Sequence, residues 1–560
     1  MSTQGTFHGL AAVGTVCHSR ASPEARSQSP ANSGPLKFKQ PPENCTMSAL
    51  PGQTNRPLSR PLARRHRRRG QPPDSLRLSR RRCLPHGRPP DQLMITHLKT
   101  TKSILGMLNF YYFGYRSVYE ITQLHMSYLF FFQVFYDPIH GLLELHPLLV
   151  KIIDTPQFQR LRNIKQLGGA YFVFPGASHN RFEHSLGVAY LAGQFAEALS
   201  TKQPELNITP EDILCVQIAG LCQDLGQGPF SIVFEEMFIR EKRADLPDGK
   251  KKISVQMFDY LLTANNLHSS MKEYGLNVDG QNKSDLVFIK EMIGGPLNTT
   301  ETQEQFMGRT QDKYFLYEIV ENEKNGIDVD KFDYIARDGY YLGIQSSFDH
   351  RRCLMFARVC RVDGINHICF RDKEVSNLYS MFQTRSLLHR TAYQHKTTRI
   401  IEVMIKDALL KAGECIQIEG SKGKICSLST AIDDMEAYTK LTEAINSFSK
   451  EMGEAQRLLL KIVSREIYKC LGKMQSEKPT MHFTMDYGIT EKELIENVFF
   501  YKKNQHDKPF NLREDEVSML LPKCSSEQFI RVYYKNIDEE IVETAQEHFD
   551  QWLSGNFSDI

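Results

Sequence analysis

The 560-residue chain has no CxxC pair among its 12 cysteines, and Met1 is not followed by a secretory leader. Neither a disulfide framework nor a zinc ribbon is indicated, and the expectation is a reducing, intracellular setting. A bilayer span needs roughly 18 or more consecutive apolar residues. The most lipid-like stretch, 104–132, is broken by Arg116, Glu120 and His125, so no membrane span is expected. No internal repeat is present.

What remains is a chain able to fold: 41% of its residues are hydrophobic, with 33 Phe and 23 Tyr, enough for a large core and two or three domains. The formal charge of +3 hides a split. Residues 1–93 carry 14 Arg and 2 Lys against 4 acids, a surplus of 12 that leaves the rest of the chain 9 negative.

Residues 1–93 are rich in Pro, Ser, Gly and Arg and have no apolar period, so a disordered basic tail is expected there. Its clusters, Arg64 to Arg69 (RRHRRR) and Arg80 to Arg82, suit a nuclear address, a weak contact to single-stranded nucleic acid, or a merely solvated tail. The expected location is the nucleus, and the cytoplasm with it. Residues 94–133 fit neither neighbour. Their end, "YLFFFQ", has the look of a translated splice acceptor, since Phe codons are pyrimidine tracts and a Gln codon can be CAG. A retained intron or mis-joined exon is the expectation, and transcripts carrying the segment in frame in mature message would end it.

From Val134 the chain reads as mainly α. Thr155-Pro156 is an N-cap and first-turn pair, and Phe158, Leu161, Ile164 and Leu167 follow at helical spacing until Gly168-Gly169. Thr209-Pro210-Glu211-Asp212 opens a second helix with a capping box, running toward Asp224. A long helix is expected over about 376–412. After Lys473 come strand-like runs such as "FIRVYYK" and a closing amphipathic helix over about 538–553. The divisions are therefore 1–93, 94–133, a helical domain over 134–473, and a smaller α+β lobe over 474–560.

Three separated segments offer metal-type ligands: His184 in "SHNRFEHSLG", Asp224 in "AGLCQDLGQGPFS" and Asp330 in "GIDVDKFDYIARD". Taken singly, each is more often a cap or an ion-paired group. The long stretch "DPIHGLLELHPLLVKIIDTPQFQRLRNIKQLGGAYFVFPGASHNRFEHSLGVAYLAG", with "DVDKFDYIARD", "RDKEVSNLY" and "AYQHK", closely resembles the vertebrate SAM-and-HD-domain deoxynucleoside triphosphate triphosphohydrolases. The resemblance covers about 134–560. It implies an HD-domain helical core, release of whole triphosphate from dNTPs (dGTP catabolism included), Fe, Mn or Zn at the site, Mg with the nucleotides, GTP and dNTP as allosteric activators, and a homo-tetramer.

Carried over position by position, the resemblance implies His184, Asp224 and Asp330 as three of four metal ligands, with Gln223 where the fourth, a histidine, would stand. Gln227 occupies the catalytic-histidine position, Ile232 another histidine position, and Glu235 replaces an aspartate. An amide oxygen binds transition metals weakly, and an amide cannot exchange a proton near neutral pH. Impaired catalysis is the expectation. The only literal His-Asp pair, His506-Asp507, reads as surface loop.

By the same resemblance Arg181, Lys331 and Arg385 face triphosphate, Gln166 and Leu167 the sugar and base, and Tyr334, Asp338, Tyr393 and Gln394 the ribose edge. Tyr340 and Tyr341 replace a His-His pair and are expected to crowd the pocket. Asp154, Gln159, Arg162, Arg465 and Lys469 match a guanine-selective regulatory site, from which Gln133 and Tyr136 depart. Val173, Phe174, Asp349, Arg352, Lys373, Asn377, His395 and Lys396 match a second, dNTP-accepting site. An N-terminal SAM domain has no counterpart in 1–133, and roughly thirty residues are missing near "GKMQSEKPTMHF", where the lobe would support the tetramer. Three readings stay open: an active dNTPase tolerating the glutamines, a nucleotide-binding pseudoenzyme able to pair with an intact paralogue, and a nucleic-acid binder acting through the tail.

Overall fold

A computed structural model of the chain describes residues 133–244, 249–279, 284–297, 299–300, 303–304, 306–413, 415–443, 453–476, 495–512, 528–535 and 539–556. The basic tail, the 94–133 segment apart from Gln133, and most of the "GKMQSEKPTMHF" stretch lie outside the described residues. The fold is mostly helical with a small sheet region toward the C-terminus.

The described chain opens on an antiparallel hairpin, β1 (Gln133–Asp137) against β2 (Gly141–Leu145), with Asp137 facing Gly141 at the turn. Asp137 Oδ1 accepts the N–H groups of Ile139 and His140 and closes the turn. Helix α1 (Pro147–Ile153) follows, capped by His146, whose Nδ1 accepts from Leu148 N. Thr155 caps the next helix as expected, but α-helix lasts only over Pro156–Gln159, tightens to 3-10 over Arg160–Asn163, and ends at extended Ile164. The reason is tertiary: Arg181 N donates to Ile164 O and Gln166 N to His179 O, so this stretch pairs with a distant one instead of continuing its spiral.

Helix α2 (Arg181–Lys202) starts on an Asn180/Glu183 capping box and is buried on nearly every face. It packs against α3 (Pro210–Cys222), where the Thr209/Asp212 capping box forms as expected. Phe182, Leu191, Phe195 and Leu199 join Val216 and Ile218 in one continuous core. Each fully buried large apolar side chain contributes about 1.5–3 kcal/mol. Around this pair lie α4 (Gly249–Ala264), α5 (Asp285–Gly294) and α6 (Val329–Leu342), the last capped by Asp328 and stopped by left-handed Gly343.

The expected long helix over 376–412 is two helices. Helix α7 (Val375–Leu388) passes through a π-turn at His389–Tyr393, and α8 (Lys396–Ala412) restarts under the side chain of His395, which accepts from Thr397 N. A four-stranded sheet runs in the order β7-β6-β4-β3, where β3 is Ala357–Val362, β4 Ile365–Arg371, β6 Phe500–Lys502 and β7 Gln505–Phe510. His506 and Asp507 therefore sit in an exposed strand, correcting the loop expectation: the strand they belong to pairs with β6 through Gln505 and Phe510 at its two ends. Strand β5 (Lys469–Ser476) pairs with β8 (Gln528–Tyr534), and α9 (Gly453–Val463) packs on α8. The closing helix α10 (Glu539–Asn556) lies against β5. Among the described residues no helix is long and apolar enough to cross a membrane.

Candidate active site

The first turn of α2, the turn after α3 and the first turn of α6 converge on one point. His184 Nε2 lies 3.0 Å from Asp330 Oδ1 and 3.5 Å from Asp224 Oδ2, so the three residues singled out in sequence come together. Gln223 Nε2 donates to Asp330 Oδ1 at 2.7 Å, and Gln227 Nε2 to Asp224 Oδ1 at 3.3 Å. A carboxylate only accepts, so each carboxamide must turn its NH₂ toward it. Asp224 Oδ2 also takes Arg181 Nη1 at 2.7 Å.

The sequence reading missed what stands behind His184. Asp333, fully buried, accepts from His184 Nδ1 and His140 Nε2 at 2.7 Å each and from Arg337 Nε and Nη2 at 2.9 Å each. Arg337, also fully buried, reaches Asp137 Oδ2 at 2.8 Å. The available signal was the i,i+4 spacing of Asp333 and Arg337 on a helix face. Burial alone would depress the His184 pKa, but its hydrogen bonds to Asp330 and Asp333 hold it up at about 10. Burial would raise Asp333, and the Arg337 charge overrides it to hold that carboxyl well below its usual range.

The side chains matched to substrate positions by resemblance have these surroundings. Arg181 also donates Nε to Ser231 Oγ at 3.0 Å, and its Nη2 reaches the Gln166 carbonyl at 3.4 Å. Lys331 pairs with Asp328 at 3.3 Å, and Arg385 contacts the Tyr334 hydroxyl. Tyr393 Oη donates to Asp338 Oδ2 at 2.5 Å, while Asp338 Oδ1 meets His179 Nε2 at 2.6 Å. Gln394 closes the π-turn, its N–H donating to His389 O, and Leu167 precedes the short 3-10 turn Gly168–Phe172. Tyr341 stacks on His179 with centroids 4.5 Å apart, whereas Tyr340 is exposed.

Residues 181–285 match the family described as HD domain. Deoxynucleoside triphosphate triphosphohydrolase SAMHD1 of Gallus gallus is 52% identical over 462 residues, 75% of each chain. The protein of the same name from Homo sapiens is 48% identical over 478 residues, 78% of this chain and 75% of its own. A SAMHD1 homolog from Dictyostelium discoideum is 32% identical over 446 residues, 73% of this chain and 79% of its own. The chain belongs to the SAMHD1 family.

Membership in the SAMHD1 family implies metal dependence, and the residues present can be tested against that. The oxygens facing His184 are already committed: Asp330 Oδ1 takes two donors, His184 and Gln223, and Asp224 takes Arg181 and Gln227. The fourth corner is an amide N–H where a transition-metal site would need a lone pair. Among the described residues no group of three His, Cys, Asp or Glu side chains is arranged to hold a metal ion. The donor set does not fit the family's metal. Glu235, at the degenerate acid position, instead accepts the Gly228 N–H at 3.0 Å.

Of the positions that the resemblance matched to regulatory sites, Arg162 Nε donates to Gln159 Oε1 at 2.8 Å and its guanidinium covers the Phe182 ring at 3.5 Å. Gln159 Nε2 also donates to Ile153 O at 2.8 Å, next to exposed Asp154 at the end of α1. Arg465, in left-handed backbone, lies in the turn after α9, Lys469 opens β5, and no hydrogen bond among the described residues joins either to Asp154, Gln159 or Arg162. In the second set, Asn377 exchanges two hydrogen bonds of 2.9 Å with the Asp349 backbone, and Arg352 forks onto buried Glu374. Lys373 lies beside Glu374, exposed. Phe174 meets His395 edge-on at 5.6 Å, next to exposed Lys396, and Val173 and Phe174 are only partly buried.

Proposed function

We propose that this chain binds deoxynucleoside triphosphates in the frame of a triphosphohydrolase but does not release triphosphate at an appreciable rate. The observation that carries the reading is the pair of carboxamides donating to Asp330 and Asp224. They fill the acceptor atoms of the cluster with neutral N–H groups. Neither can supply a proton to a departing nucleoside oxygen, a contribution typically worth ~10² to 10⁴ in rate.

Binding is supported separately. Arg181, Lys331 and Arg385 place three cations around the cluster, and guanidinium and ammonium groups suit a polyanion in complementary ways. Magnesium, as counter-ion of the nucleotide's phosphates, belongs to the same proposal. GTP and dNTP as regulatory ligands, a homo-oligomer, and pairing with an intact paralogue extend the same proposal.

The test is to incubate purified chain with GTP, mixed dNTPs and Mn or Fe, and to follow triphosphate release beside nucleotide binding and metal content. Binding without release is expected. Release of triphosphate from dGTP at the rate of an intact relative overturns the proposal, and absence of dNTP binding overturns its other half.

A further inference from the structure

The turn that carries Gln223 and Gln227 is held from outside through its backbone. Arg160 Nη1 donates to Leu225 O at 3.0 Å and Nη2 to Gln227 O at 2.8 Å. Tyr438 Oη donates to Gly226 O at 2.7 Å. Ser254 Oγ donates to Gln223 O at 2.8 Å and accepts Gly226 N–H at 2.9 Å. The remaining carbonyl, Asp224 O, accepts Gln227 N at 3.0 Å inside the turn. Every carbonyl from 223 to 227 is thus accounted for.

The donors come from three distant segments: the 3-10 turn after Pro156–Gln159, helix α4, and the short helix Met435–Thr439. Arg160 is 4% exposed, its guanidinium lies 4.9 Å over the Tyr438 ring, and its Nη1 and Nη2 donate to backbone carbonyls. Burial pulls its pKa below the usual guanidinium range, with Tyr438 and Glu235 acting the other way. A buried cation spent on two carbonyls of one turn is a costly way to hold a loop. Gly226 leaves no slack, since a Cβ there would sit 2.5 Å from Ser254 N.

We propose that Arg160, Tyr438 and Ser254 are positioning residues that set the aim of side chains 223 and 227 into the His184, Asp224 and Asp330 cluster, whatever those side chains are. The backbone placement does not depend on the carboxamides, so imidazoles introduced at 223 and 227 enter with the same aim. This rests in part on the proposed function, because it takes 223 and 227 as positions of the chemistry.

Two measurements separate the two ideas. In the otherwise unaltered full chain, hydrogen exchange of the 224–228 amides is compared among wild type, Tyr438→Phe and Arg160→Lys. The expected result is at least a tenfold loss of protection confined to that turn, with α2 unchanged; no loss, or an equal loss throughout, overturns the proposal. In a Gln223→His/Gln227→His background, Mn binding is titrated with and without Tyr438→Phe. Outer-shell partners typically matter 10- to 100-fold in metal affinity, and a drop of about that size is expected. Unchanged affinity at a lowered melting temperature leaves the hydroxyl a structural role only and overturns the positioning claim. Failure of the histidine pair itself to bind Mn counts against the proposed function, and the exchange result then decides the clamp alone.

Discussion

Gln223 Nε2 and Asp330 Oδ1 lie 2.7 Å apart, a side-chain hydrogen bond at the corner where the family's metal site needs an imidazole lone pair. It bridges the end of α3 and the start of α6 through neutral chemistry. That contact satisfies Asp330 without an ion.

Single substitutions should separate the two roles that the proposed function assigns to positions 223 and 227. Gln223→His is expected to raise bound Mn or Fe without matching turnover, because residue 227 still lacks a transferable proton. Gln227→His alone should leave metal content unchanged. The double variant is expected to release triphosphate from dGTP, and metal analysis beside product quantification checks all three.

Asp333 and Asp330 differ in what their loss strands. Asp333→Asn leaves the fully buried Arg337 with Asp137 as its remaining carboxylate partner, and removing one member of a buried pair costs about 3–5 kcal/mol. Asp330→Asn neutralises a side chain that is 31% exposed and relieves its charge crowding with Asp224 while weakening its hold on His184, so a smaller loss than for Asp333→Asn is expected. Urea denaturation of the metal-free proteins measures the contrast.

Gly168 has φ +46°, and a Cβ there would lie 2.5 Å from Phe230 O. Gly168→Ala should destabilise by about 1–3 kcal/mol through strain and clash together. Gly295→Ala is the control, since its φ is +81° but no atom stands within 4 Å. A larger fall in denaturation midpoint for the first than the second isolates the clash.

Burial holds His146 down at about pKa 4, against 6.5 in a free side chain, while its Nδ1 accepts Leu148 N–H. Between those values the unfolded state takes the proton first, so stability is fully present above 6.5 and falls as pH drops toward 4. His146→Asn keeps a capping acceptor but not the titration. Its stability is expected to decline less than the wild type's between pH 6.5 and 4.5, as followed by thermal melts at several pH values.

The caps at Thr155 and Thr209 were readable because a cap is chemistry within four residues. The helix ends at Ile164 and Leu388 were not. Periodicity continued past both, while the Lys165–Asn180 bridge and the His395 cap decided otherwise. At the site, His184, Asp224 and Asp330 were legible through long motifs. Their supports, His140, Asp333, Arg337 and Arg160, were not, since charged residues usually read as solvated surface.

The order of residues alone determined which side chains are available: two carboxamides lack both a metal-binding lone pair of imidazole type and a proton to give, wherever the fold puts them. Tertiary structure decided which acceptors those carboxamides fill and which distant donors hold their turn. Hydrogen bonds of this kind act only within about 3 Å, and only the packing of α2, α3 and α6 brings segments more than a hundred residues apart to that range.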